Sequence, residues 1–158
     1  MKELWLEKEP SVVYGGKINQ LINLCQLGLS VPKGLILPAD QVMAWLRAAL
    51  PEYSKQGLEE LIKLGKEEIA ERLQQYPLEP AWLQELADFC QGNQAYIVRS
   101  SAILEDGQAM SFAGQYDSIG NCWTLSEIEQ GIRSCLLSLF NPEALAYWQR
   151  QGLPEQDF

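Results

Sequence analysis

The sequence predicts an α+β fold, and three observations predict it. Residues 40 to 92 carry apolar side chains at helical spacing with few interruptions. Short apolar runs of strand length flank that block, Gly34-Leu35-Ile36-Leu37 before it and Ala95-Tyr96-Ile97-Val98 after it. A Thr124-Leu125-Ser126-Glu127 sequence then opens a further helical stripe. A length of 158 residues, with 47% hydrophobic and 21% charged residues, suits one ordinary globular unit or a piece of a larger protein.

In chain order, Ser11-Val12-Val13-Tyr14 runs into Gly15-Gly16, and a helix is expected from about Lys17 to Leu27. Ile18, Leu21, Ile22 and Cys25 recur there at helical spacing, Gly28 is placed to close the helix, and Val31-Pro32 prevents its continuation. Within the helical block three helices are expected. Asp40 is placed to cap the first, which carries Val42, Met43, Trp45 and Leu46. The second spans 57 to 75, with Leu58, Leu61, Ile62, Ile69 and Leu73 on one side and Gly65 weakening its middle by about 1 kcal/mol relative to alanine. The third starts near Pro80, presents Trp82, Leu83, Leu86 and Phe89, and ends before Gly92-Asn93. A strand near 115 to 122 follows the loop after Val98. The capped helix then shows Leu125, Ile128, Ile132, Cys135, Leu136 and Leu139, and Asn141-Pro142 restarts a last helix with Leu145 and Trp148.

Charge and composition exclude several classes. A net charge of −9 makes the far field repulsive to nucleic acid and to anionic membrane, while leaving room for one anion in a local pocket. No apolar run approaches the ~20 residues of a membrane-spanning helix, and the charged opening Met1 to Glu9 lacks the apolar core of a secretion signal. The expected location is the cytoplasm. Cys25, Cys90, Cys122 and Cys135 are widely separated, without a Cys-x-x-Cys pair, so they read as reduced, partly buried small residues. With no histidine, the chain supplies no triad, imidazole metal ligand or phosphohistidine.

Two segments carry possible chemistry. Gly15-Gly16-Lys17 enters a helix, where glycines admit an anion closely and exposed N–H groups favour negative charge, with Lys17 adding a point charge. It is not a Walker A loop, since Ser11 stands where Gly is required and Ile18 where Ser or Thr is required; a plain turn is the alternative. The second segment is Ile97-Val98-Arg99-Ser100-Ser101-Ala102, followed by Glu105-Asp106 and Ser111 to Ser118. An arginine at the end of a buried strand, its stem packed, suits bidentate phosphate recognition. The alternatives are pairing with Glu105 or Asp117, and an ordinary hairpin at Ser111-Phe112-Ala113-Gly114.

In this order and at this separation, the two segments resemble the nucleotide-binding domain of the phosphoenolpyruvate synthase and pyruvate phosphate dikinase family. Gly15, Gly16, Lys17, Leu21, Gly28, Leu29, Val31, Pro32 and Gly34 match one family series. Val98 to Ala102, Glu105, Asp106 and Ser111 to Asp117 match the other, and Ser138-Leu139-Phe140 with Ala144 and Tyr147 is similar to the helix pair that follows. The Ser-Phe-Ala-Gly-Gln form is closer to the synthase and water-dikinase branch, rifamycin phosphotransferases included. Ile18-Asn19-Gln20 and Gly107 to Met110 depart from the family's usual residues.

The resemblance implies an ATP-grasp-like N-terminal lobe spanning 1–158, with a small, mostly antiparallel sheet, the helical block at about 40–92 and C-terminal helices. It implies that ATP is the ligand, that Lys17 and Arg99 contact its phosphates, and that Gly114 and Gln115 lie in a loop over them. Gly16 then belongs to the helix mouth, and Ser118 keeps the hydroxyl of the family's usual Thr. It further implies that Mg2+ ligands sit in a second lobe, and that the phosphohistidine and the binding site for pyruvate, or for another acceptor such as a rifamycin or a glucan, sit in other domains. The expectation is an N-terminal fragment that does not turn over by itself. The rival expectation is a non-catalytic nucleotide-binding or interaction module, self-associating through the face that a second lobe would cover.

Overall fold

The computed structural model describes residues 2–3, 14–51, 58–101, 117–142 and 144–145. Six helices and four short strands are defined among them. They are β1 (Lys2–Glu3), α1 (Gly15–Gln26), β2 (Leu35–Ile36), α2 (Ala39–Ala49), α3 (Leu58–Leu64), α4 (Lys66–Gln75), α5 (Pro80–Phe89), β3 (Tyr96–Arg99), β4 (Ser118–Cys122) and α6 (Leu125–Ser138). The strands form two antiparallel pairs, β1 with β2 and β3 with β4. The α+β expectation therefore holds.

The helix boundaries follow from local chemistry. The end of α1 is closed by bonds from Gly28 N–H to the Cys25 carbonyl (2.9 Å) and from Leu29 N–H to the Leu24 carbonyl (3.0 Å), the two bonds of a Schellman turn. Pro38, in extended conformation, is the N-cap of α2; Asp40, expected as the cap, instead lies in the first turn, where its charge suits the helix dipole. The expected single helix over 57–75 is two helices. Gly65 takes φ +81°, a left-handed conformation that breaks the helical path, and serves as the N-cap of α4. Its N–H still bonds the Leu61 carbonyl (3.3 Å), so α3 runs directly into the break. Pro80 occupies the first turn of α5, and Thr124 with Glu127 forms a complete capping box on α6.

One apolar core joins the helical block to α6. Trp45, Leu46 and Leu50 from α2 and its end, Leu61 from α3, Ile69 and Leu73 from α4, and Trp82 and Leu86 from α5 pack with Ile128, Ile132 and Leu136 of α6 and with Phe140. Trp45 is 1% exposed, meets Tyr76 edge-on at 5.7 Å and donates its indole N–H to the Pro77 carbonyl (2.8 Å). Arg133 of α6 donates to the carbonyls of Leu73 and Tyr76 and lies 6.0 Å from the Trp45 ring, tying the end of α4 to α6. Gly131 lets α6 approach β3, because a Cβ there would fall 2.9 Å from Val98 Cγ2. A second, smaller cluster sets Ile22 of α1 on Ile36 of β2, with Tyr14 and Ile18 beside them. Pro142 and residues 144–145 are helical, as expected beyond Asn141; Trp148 lies outside the described residues.

Candidate nucleotide-binding site

The first turn of α1 rests on the chain leaving β3. Ser101 Oγ donates to the Tyr14 carbonyl (2.8 Å) and accepts the Ile18 N–H (3.2 Å), so a residue far along the sequence bridges the N-cap and the first turn of the helix. Lys17 Nζ donates to the Ser100 carbonyl at 3.2 Å. Gly15 makes the approach possible. It has φ +68°, and a Cβ on it would fall 2.3 Å from the Ser101 carbonyl oxygen. No side chain fits that gap, and few would accept that backbone conformation.

Lys17 therefore lies against the residue that follows Arg99. Gly16, the second residue of α1, is half-buried beside it. Arg99 ends β3 and stands opposite Ser118, the first residue of β4. Burial alternates along β3, with Tyr96 and Val98 turned inward and Ile97 and Arg99 outward. Ser118 is likewise exposed, so Arg99 and Ser118 share the outer face of the strand pair. An arginine ending a buried strand is expected to have a packed stem. The structure leaves Arg99 exposed instead, because the outward phase of β3 carries it away from α6. Among the described residues Arg99 makes no ion pair with Asp117, whose backbone is held by α6. Glu105, Gly114 and Gln115 lie outside the described residues, so four of the six expected site residues, Gly16, Lys17, Arg99 and Ser118, are placed.

Lys17 stands in the first turn of α1, whose N-terminus carries partial positive charge, and Arg99 ends β3 on its exposed face. Ser100 Oγ is buried and has no hydrogen-bond partner, a costly arrangement for a hydroxyl unless a ligand or water completes it. No cluster of three or more His, Cys, Asp or Glu able to hold a metal occurs among the described residues. In the sequence Gly15 and Ser101 are no more than members of their motifs. Their structural work, admitting α1 to β3 and tying it there, required the fold to become visible.

The chain matches a known family over nearly its whole length. The model of the pyruvate phosphate dikinase AMP/ATP-binding domain matches residues 11–158. The chain belongs to this family. Phosphoenolpyruvate synthase from Neisseria meningitidis serogroup B is 30% identical over 159 residues, covering 87% of this chain and 20% of that protein. Rifampicin phosphotransferase from Bacillus subtilis is 30% identical over 162 residues, 93% of this chain and 18% of that protein. Phosphoenolpyruvate synthase from Escherichia coli is 29% identical over 158 residues, 87% and 20%. The chain thus spans about a fifth of the length of these relatives. Among the described residues no helix is long and apolar enough to cross a membrane.

Proposed function

We propose that this chain is the ATP-binding lobe, of ATP-grasp type, of a phosphoenolpyruvate-synthase-like dikinase. The observation that carries the reading is the seating of the α1 mouth on the end of β3, with Lys17 Nζ 3.2 Å from the carbonyl next to Arg99. On this reading Lys17 holds the phosphates as a point charge, and Arg99 grips them through its planar fork. The α1 N-terminus adds its dipole, and Ser118 offers a hydroxyl on the Arg99 face. Gly114 and Gln115 cover the phosphates from the intervening loop. Mg2+ accompanies the nucleotide, its ligands supplied from a second lobe.

The reaction is cleavage of ATP to AMP and phosphate, the β-phosphoryl passing through a histidine to pyruvate in the cytoplasm. This chain has no histidine, so that carrier belongs elsewhere in the enzyme. Phosphoryl transfer depends mainly on positioning and charge neutralisation, and the residues here supply the positioning half. A rifamycin-type acceptor is the second reading, favoured by the likeness to the Bacillus subtilis phosphotransferase, which covers nearly the whole chain.

Charge-assisted hydrogen bonds contribute about 1.5–3 kcal/mol each, against an association cost of about 4–15 kcal/mol, so one lobe binds weakly. The test is titration of the 158-residue chain with Mg-ATP to millimolar concentration. Lys17→Ala and Arg99→Ala should each weaken binding by about tenfold or more. Unchanged affinity in both variants would overturn the assignment.

A further inference from the structure

Beneath the Arg99–Ser118 pair lies one turn of α6. Ser138 is 2% exposed and is the one buried polar or charged residue among the described residues. Its hydroxyl donates to the Cys135 carbonyl (2.7 Å) and accepts the Asp117 N–H (3.3 Å). Cys135, 6% exposed, directs its thiol to the Asp117 carbonyl (3.3 Å) and the Val98 carbonyl (3.7 Å). Val98 precedes Arg99 in the chain, and Asp117 precedes Ser118. One sulfur atom therefore meets the residue that precedes each member of the pair.

The strand pair needs such a pin. It is two-stranded and short, and its register is irregular. Tyr96 stands opposite Cys122 and Val98 opposite Ile119, so two steps on β3 meet three on β4. A one-residue slip would turn Ser118 to the inner face and away from Arg99. Burial, and after it the Asp117 charge, push the Cys135 thiol up to about 11, so it remains a donor at neutral pH.

We propose that Ser138 and Cys135 are positioning residues, which fix the start of β4 against the end of β3 and so hold Arg99 and Ser118 as a facing pair. The proposal rests on the nucleotide reading for its functional meaning, since that reading places both side chains on the phosphates. Ser138 and Cys135 act through backbone groups of Asp117 and Val98.

The test uses the isotopically labelled chain with Ser138→Ala, Cys135→Val, which keeps apolar volume without a donor, and Cys135→Ser, which keeps a donor. The first two should speed amide exchange at Asp117 and Ser118 by about fivefold or more and weaken Mg-ATP binding several-fold. Cys135→Ser should restore both to within about twofold of the native chain. Unchanged exchange in Ser138→Ala and Cys135→Val overturns the proposal. So does Cys135→Ser behaving as badly as Cys135→Val, which would leave only a packing role. If Cys135→Val does not fold, Ser138→Ala, which removes a single hydroxyl, decides the matter by the same exchange readout. If the native chain binds no Mg-ATP, the nucleotide reading fails, while the exchange data still decide whether the pair is pinned.

Discussion

From α2 to α5 the chain is held by bulk: Trp45, Leu50, Leu61, Ile69 and Leu73 are all but inaccessible, and the indole N–H of Trp45 is satisfied locally at Pro77. Around α1, β3, β4 and the last turn of α6, polar contacts and glycine hold the structure. Ser101 bridges Tyr14 and Ile18, Ser138 and Cys135 grip Asp117, and Gly15 and Gly131 let backbones close. The two regions meet where Ile128, Ile132 and Leu136 of α6 enter the block's core and Arg133 caps α4. The difference teaches a division of labour. Apolar burial supplies stability with little demand on exact geometry, whereas the proposed nucleotide site needs a few donors held in fixed positions, which small residues and hydrogen bonds provide.

That contrast can be broken most forcefully from the block. Trp45→Ala should destabilise the chain by about 3–5 kcal/mol through loss of buried area and the cavity left behind, read by denaturant unfolding. A loss below about 1 kcal/mol would show that the core does not rest on Trp45. Next in size is Gly15→Ala, which forces a Cβ against the Ser101 carbonyl at positive φ. A cost of about 1–3 kcal/mol is expected, together with loss of Mg-ATP binding that stabilising osmolytes do not restore. Normal nucleotide affinity in that variant would mean that the α1–β3 approach is not needed at the site.

The helical block was legible because periodicity reports burial directly: Trp45, Leu61, Ile69, Leu73, Trp82 and Leu86 are all buried where the 3.6-residue pattern put them. The break at Gly65 was not. A glycine inside a helical pattern reads as a weak point, and only its positive φ shows that the chain turns there. Capping at Thr124-Glu127 was legible because the motif is local. The site was legible in part. Lys17 and Arg99 stood out as cations at element ends, and the structure sets Lys17 beside Ser100. The outward phase of Arg99 depends on the register of a short, bulged strand pair, which sequence does not specify. Ser138 and Cys135 read as small members of a core stripe, and their bonds to Asp117 exist only once β4 is folded onto α6.

Smaller effects sharpen the same contrast. Thr124→Ala should cost about 1 kcal/mol by removing the α6 cap, seen as a lowered unfolding midpoint with nucleotide affinity unchanged. Cys135 gives a pH signature. Its folded thiol titrates at about 11 against an ordinary 9.0, so folding favours the protonated form. Its contribution is complete below about pH 9 and is lost as pH rises toward 11. Thermal melts should fall across that window in the native chain and fall less in Cys135→Ser. Smallest is Glu127, held below its ordinary carboxylate value by the Trp123 N–H and then the Thr124 N–H and hydroxyl. Its contribution is present above the ordinary value of 4.5 and fades as pH drops through the lower folded value. Glu127→Gln should flatten that acid limb slightly.

The most direct measurement of the central claim is a residue-by-residue footprint of Mg-ATP on the isotopically labelled chain. Amide shifts are expected at Gly16, Lys17, Arg99, Ser100, Ser101 and Ser118, with α2 to α5 silent. Shifts centred on the helical block, or none at any of those six residues at saturating nucleotide, would contradict it.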